Sequence, residues 1–348
     1  MKRSIQLLAA TILLLSISLQ AQNITNTLGA SGVFKIKDGS TDYLSLDQST
    51  GNITFYRNLE LGGITNSTST VGIITKNGQR FLHNFIAPGS YSSNTFIGIS
   101  SGNFTLSANS YHNTGVGYLT LNQLSDGRQN SAFGFVSLRS NTTRNLNSAF
   151  GVSSLESNTI GNSNSAFGNF AMRLNTEGNS NSAYGASSLT SNQTGSSNSA
   201  FGRGTLYQNS SGSFNSAFGY GSLYKNVASD NCAFGAISLY NNTTGTNNSA
   251  FGVSSLYYNT IGEYNSAFGI NSLKSNVSGI GNSSFGANSL HNNTSGSTNS
   301  AFGVNALFTN SIGSQNSAFG GGSLYYNTTG FANSAFGDLS LSNNSTGR

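Results

Sequence analysis

From Asn94 onward the polar and apolar positions of this chain recur with one period. The Asn of an Asn-Ser-Ala-Phe-Gly motif falls at 94, 113, 130, 147, 164, 181, 198, 215, 231, 248, 265, 282, 299, 316 and 333. The step is 17 residues from 130 to 215 and again from 231 to 333. It is 19 from 94 to 113 and 16 from 215 to 231. One period reads Asn-Ser-Ala-Phe-Gly-x-x-Ser-Leu-x-x-Asn-Thr-x-Gly-x-x. Ser-Ala-Phe-Gly is long enough for one short strand, whose alternation puts Phe and Ala on opposite faces. We expect Phe inside, because it is the largest apolar side chain of the unit. Leu supplies a second inner row, with Met172 in the same slot. Asn-Thr-x-Gly reads as a turn, with Asn and Gly able to take positive φ. Between Phe and this turn the spacing predicts a second short strand, and one helical turn ending at the Asn is an open alternative.

A 17-residue unit cannot bury a core alone, so identical units must stack. The predicted fold class is all-β: a parallel β-solenoid or β-roll of about fifteen 17-residue coils, ~4.8 Å apart, with ladders of Phe, Leu and hydrogen-bonded Asn. The core per coil is thin. The Ala row from Ala132 to Ala335, with Ser284 the exception, is then an outward stripe of small uncharged residues. Such a stripe suits close packing against other copies, and a parallel homotrimer is the expected assembly.

Upstream the pattern changes. Residues 1–22, with Lys2 and Arg3 before the apolar run Ile5 to Leu19 and a possible cleavage site at Leu19-Gln20-Ala21, have the form of a signal peptide. The run is short for a bilayer span of ~20 residues, so the mature chain is expected to be secreted or cell-surface, with no membrane span. Residues 23–93 alternate as in a β meander, at Gly32–Lys37, Tyr43–Leu46, Asn52–Tyr56 and Gly72–Gly78. They predict an N-terminal β cap or connector, leaving 94–348 to the solenoid.

Composition narrows the function. Charged residues are 7%, against ~25% in an ordinary soluble domain, and the net charge of +5 is scattered. No concentrated basic face is visible, so nucleic acid is not an expected partner. The 49 Asn and 43 Gly accompany 23 Phe and 15 Tyr; aromatics at this level in a nearly uncharged chain point to order by repetition. Cys232 is the single Cys, standing where other copies have Ser, and reads as a small buried substitute. The fold must therefore hold without disulfides.

Catalytic chemistry finds little footing. His83, His112 and His291 share no spacing and lack companions at metal-ligand intervals. Asp38, Asp42 and Asp47 sit in turn-like sequence, and the repeat acids occupy scattered phases. No Ser lies in a nucleophile elbow. We expect no enzyme, no catalytic residue, no metal and no cofactor. The candidate ligand-binding residues are Tyr207, Tyr224, Tyr240, Tyr257 and Tyr325, each directly after the Leu, with Tyr258 and Tyr326 one place on. Stacked coils would align them in rows able to hold glycans by ring stacking and amide bonds; packing over the Leu ladder is the plainer role. An ice-binding grid of Thr after the second Asn is interrupted by Gln193, Val227 and Val277.

The repeat, as quoted, resembles the Asn-Thr-Ala-x-Gly-x-x-Ala-Leu-x-x-Asn-Thr-x-Gly arrays of bacterial fibre proteins, phage-type tail fibres and secreted surface proteins among them. It is more distantly similar to the heads of YadA-like trimeric autotransporter adhesins, which have a somewhat shorter repeat. The resemblance covers 94–348, and Phe81-Leu82-His83-Asn84-Phe85 is similar to the lead-in of such arrays. It implies a left-handed, trimeric parallel β-roll. The expected function is an exported structural or adhesive surface fibre that binds a surface glycan or a host or matrix receptor through its repetitive lateral surface. The alternative is a dedicated glycan-binding solenoid using its Tyr and Asn rows.

Overall fold

The computed structural model describes residues 33–38, 41–47, 49–50, 52–55, 73–90 and 93–348; the signal-peptide segment 1–22 lies outside them. The chain forms two compact units, Met1–Gly63 and Ile64–Arg348. In the first, strands β1 (Val33–Asp38), β2 (Thr41–Asp47) and β3 (Asn52–Phe55) make an antiparallel sheet in that order. The β2–β3 turn is held by Asp47, whose Oδ1 accepts from Ser49 N at 2.9 Å and Ser49 Oγ at 2.7 Å. These bonds hold its carboxyl below the ordinary value, so this acid is indeed turn chemistry.

The second unit is a parallel β-solenoid. A hairpin, β4 (Ile74–Lys76) and β5 (Gln79–His83), pairs antiparallel with β6 (Thr95–Ile97). From there β6 to β20 (Ser334–Phe336) stack in parallel and in register, Ala on Ala and Phe on Phe, one three-residue strand per coil. By its hydrogen bonds the hairpin belongs to the same sheet as the coils.

The strand alternates as its sequence requires, but with the faces exchanged. Ala250 is fully buried, as is nearly every Ala of its row, while Phe251 is half-buried on the outside. Ser284, the one Ser of that row, confirms the direction: it is buried and its hydroxyl bonds to Ser272 Oγ at 2.7 Å. The interior is too narrow for a ring in every coil. It holds Asn, Ala, Ser, Leu, Asn and Gly, and the Leu row is fully buried from Leu121 to Leu324. The Phe rings find cover along the rod axis instead. From Phe133 to Phe336 thirteen rings, Tyr184 among them, stack at centroid distances of 4.5–5.0 Å and within 8° of parallel. The Ala stripe is therefore no seam between chains.

The second element is neither strand nor helical turn. In the coil of 248–264 it is two successive tight turns, Ser255 N donating to Gly252 O at 3.3 Å and Asn259 N to Leu256 O at 3.1 Å. Positive φ falls on Gly252 (138°), Ser254 (57°), Leu256 (49°) and Tyr264 (56°), not on Asn259 or Gly262. A left-handed Leu costs roughly 1–2 kcal/mol. It persists because that backbone aims the side chain into the core while Leu256 N reaches Ser272 O in the next coil at 3.0 Å. The Gly of Asn-Thr-x-Gly is needed for space: a Cβ on Gly262 would lie 2.6 Å from Gly279 O one coil away.

Two Asn ladders run through the interior. In the first, Asn248 N and Nδ2 both donate to Asn231 Oδ1, at 3.0 and 3.2 Å, and Nδ2 also donates to Gly262 O at 2.8 Å. In the second, Asn259 Nδ2 donates to Asn242 Oδ1 at 2.7 Å and to Gly262 O at 3.0 Å. The second ladder breaks once. In the 16-residue coil Asn226 Nδ2 donates to Ala228 O at 2.7 Å, and Asn209 Oδ1 is left buried without a partner.

The first coil is closed by an aromatic plug. Phe96 occupies the inner position that Ala takes elsewhere and is fully buried. Its ring fits because Gly102 and Gly115 lack side chains; a Cβ there would lie 2.5 and 3.0 Å from it. His83 packs against Phe96 and Phe104 at 4.9 and 4.6 Å.

Two outcomes are expected. Ala250→Arg should break the central coils, because it forces a charge into a filled interior. Phe251→Ala should be milder, since it removes one ring from a half-buried stack; thermal melts of the pair that rank the other way would reverse the faces. Inserting one residue after Val227 together with Ala228→Gly restores a 17-residue coil. It should stabilise the chain by about 1–3 kcal/mol, the usual cost of a buried unsatisfied group, read as a higher urea midpoint.

Candidate functional site

Because the coils are in register, any outward position becomes a row. The residue after Leu carries Arg139, Glu156 and Arg173 in early coils, where Glu156 bridges both arginines at 3.1 and 3.3 Å. It then carries Tyr207, Tyr224, Tyr240 and Tyr257. These four rings stack consecutively at 5.0, 4.9 and 5.5 Å, within 16° of parallel. Lys274 interrupts the row. Tyr325 belongs to a separate run with Phe308 and His291, at 5.2 and 5.1 Å. Tyr258 and Tyr326 meet their neighbours Tyr257 and Tyr325 edge-on, each at 4.7 Å.

This geometry changes what the row offers. The faces of Tyr224 and Tyr240 are covered by the rings above and below, so neither receives a sugar ring by stacking. What they present is a rail of ring edges and phenol hydroxyls, one per coil. Burial, followed by the neighbouring phenols of Tyr224, Tyr257 and Tyr220, raises the Tyr240 hydroxyl above its ordinary pKa.

Beside the rail lies a groove of about 210 Å³. It is lined by Gly204 and Gly221, by Tyr207, Tyr224 and Tyr240 of the rail, and by Ser187, Arg203 and Tyr220. The sequence reading named the rail and missed the rest. The signal was the phase: Gly204 and Gly221 occupy a position that Ser or Asn fills in many other coils.

Other groups have structural explanations. Cys232 is half-buried on the outer face rather than enclosed, and burial raises its thiol pKa, which leaves little thiolate for reaction. The Thr hydroxyls after the second Asn are turned to the next coil, as in Thr260 Oγ1 to Val277 O at 3.1 Å. Among the described residues no group of three or more His, Cys, Asp or Glu is placed to hold a metal, and no helix is long and apolar enough to cross a membrane. His83 is the buried histidine. Its Nε2 donates to Ser101 O at 2.9 Å and its Nδ1 accepts from Phe85 N at 3.4 Å. Burial lowers its pKa from 6.5 to about 4, against the opposing Ser101 bond and with a further contribution from Arg80.

No family model matches the chain, and no curated protein or solved structure does either.

The His83 environment sets a pH dependence. Above pH 6.5 the imidazole is neutral in folded and unfolded chains and contributes nothing. Between pH 6.5 and 4 only the unfolded chain takes the proton, so stability of the capped end falls as the pH falls. The protection factors of residues 81–90 and 93–104, amide exchange corrected for its intrinsic pH dependence, should fall over that window in the parent and much less in His83→Gln; equal pH slopes in the two would contradict it.

Proposed function

We propose that this chain is an exported surface fibre, structural and adhesive, that binds through its repetitive lateral surface. The observation that carries the reading is the division of labour within each coil. The inner positions repeat Asn, Ala, Ser, Leu, Asn and Gly with few changes, and so does the outward Phe row, whereas the outward positions beyond the strand, such as the residue after Leu, vary from coil to coil. An interior so uniform serves length, and recognition falls to the rows. The continuous Phe row is uncharged and half-exposed along thirteen coils, and we assign to it the association of copies into a parallel homotrimer, with the Ala row closed off inside. A partner must share the coil repeat to stay in phase with this row, which a second copy of the chain does. The reading involves no catalytic residue, cofactor, nucleic acid or membrane span in the mature chain.

A second reading, a dedicated glycan binder, is favoured by one specific observation: three rings of the rail, Tyr207, Tyr224 and Tyr240, border a groove.

Deleting the whole unit 248–264 tests the fibre reading. The shortened chain should keep its fold and, by light scattering, a mass of three chains. Its retention on surfaces coated with glycan or matrix protein should fall only in proportion to copy number. A monomer removes the trimer, and abrupt loss of retention means a discrete site and favours the second reading.

A further inference from the structure

Gly occupies the second position after the Phe-Gly pair in three coils, as Gly204, Gly221 and Gly322. At Gly322 the space is taken, since an added Cβ would lie 2.8 Å from Leu339 Cδ2. At Gly204 and Gly221 the nearest atoms to such a Cβ are ring carbons of Tyr224 and Tyr240, at 3.6 and 3.3 Å. Two adjacent coils therefore place no side chain here, and the buried backbone of Gly204 and Gly221 lines the groove beside the phenol rail. Tyr220, 61% exposed, also lines the groove, and no ring stack among the described residues includes it, so its face is open. Arg203 is exposed there. Among the described residues the ion pairs join Arg139, Glu156 and Arg173, and no carboxylate lines the groove. The groove also spans the 16-residue coil, the one place where the period and the second Asn ladder are broken together.

Glycine at both positions admits a flat ring lying close to the backbone. An open Tyr face takes the C–H face of a pyranose. The hydroxyls of Tyr224 and Tyr240 belong to rings 4.9 Å apart, close enough for both to meet one sugar. A guanidinium free of partner carboxylates is suited to a bidentate carboxylate ligand. We propose that this groove binds a ring of an acidic polysaccharide, with the uronate carboxylate on Arg203, the ring over Gly204 and Gly221 against Tyr220, and the neighbouring sugar on the Tyr224–Tyr240 rail. The proposal rests on the glycan-binding reading and names its ligand class and place.

The test uses the full chain, tetragalacturonate as the acidic probe and maltotetraose as the neutral one, with binding followed by calorimetry. The parent should bind the acidic probe and prefer it to the neutral one. Gly204→Asn with Gly221→Asn should weaken binding by about tenfold or more. That pair is compatible with the fold, because Asn271, Asn288 and Asn305 occupy the same position at φ of 55–57°. Arg203→Gln should abolish the preference for acid. Unchanged affinity in the double Asn variant, or equal affinity of the parent for both probes, overturns the proposal. If the double variant still binds while Tyr224→Ala does not, the proposal falls and the glycan reading stands. If the parent binds neither probe nor any member of a glycan array, both fall.

Discussion

Two buried asparagine amides per coil are the constraint on which the rest of this solenoid depends. A coil of one three-residue strand and several tight turns leaves inward-facing backbone groups that no sheet can pair. Unpaired in a dry interior, each would cost about as much as a buried Leu returns. An Asn side chain carries two donors and one acceptor in a plane, enough to accept from the following coil while donating to the preceding one and to a carbonyl of its own. With those bonds in place the coil spacing is fixed. The position of Gly262 then favours Gly, since the next coil's carbonyl passes close to where a Cβ would stand; Arg144 and Ala228 are exceptions in that row. Leu256 is held left-handed with its side chain over the axis.

Much of this was legible in the sequence, because it depends on spacing alone. The 17-residue phase, the Leu row, the Asn ladders and the all-β class follow from the repeat. The exchange of Ala and Phe did not, since alternation says that two residues face opposite ways and is silent on which way is in. Size was the wrong guide. The better one was tolerance: the Ala position admits only Ser284 and Gly115 beside the capping Phe96, whereas the Phe position admits Tyr184, whose hydroxyl would be orphaned inside. The turns were also misplaced, because Asn and Gly were credited with positive φ that Leu256 and Tyr264 carry.

The candidate site was half legible for a related reason. Tyr207, Tyr224, Tyr240 and Tyr257 stand out by phase. The ring faces within the row are unavailable because the coil step matches the distance at which aromatic rings stack, so Tyr224 and Tyr240 are covered on both sides. The features that open a groove there, Gly204 and Gly221, look like ordinary turn glycines until the coils are superposed.

The ladders also have a sense. From Asn113 to Asn333 the backbone N–H of each first-ladder Asn donates to the oxygen of the Asn before it in the chain, and the side-chain donors of the second ladder look the same way wherever it is unbroken. Chain order and donor order coincide. A coil that emerges later brings its amide hydrogens to oxygens already in position, so the core can be assembled vectorially, each finished coil serving as the template for its successor. Contacts of this kind never reach much beyond one period along the chain, which keeps loop closure short however many coils are added. For a polypeptide delivered from one end, the growing edge presents two fixed side-chain amide oxygens, flanked by backbone donors such as Leu256 N, to the next 17 residues.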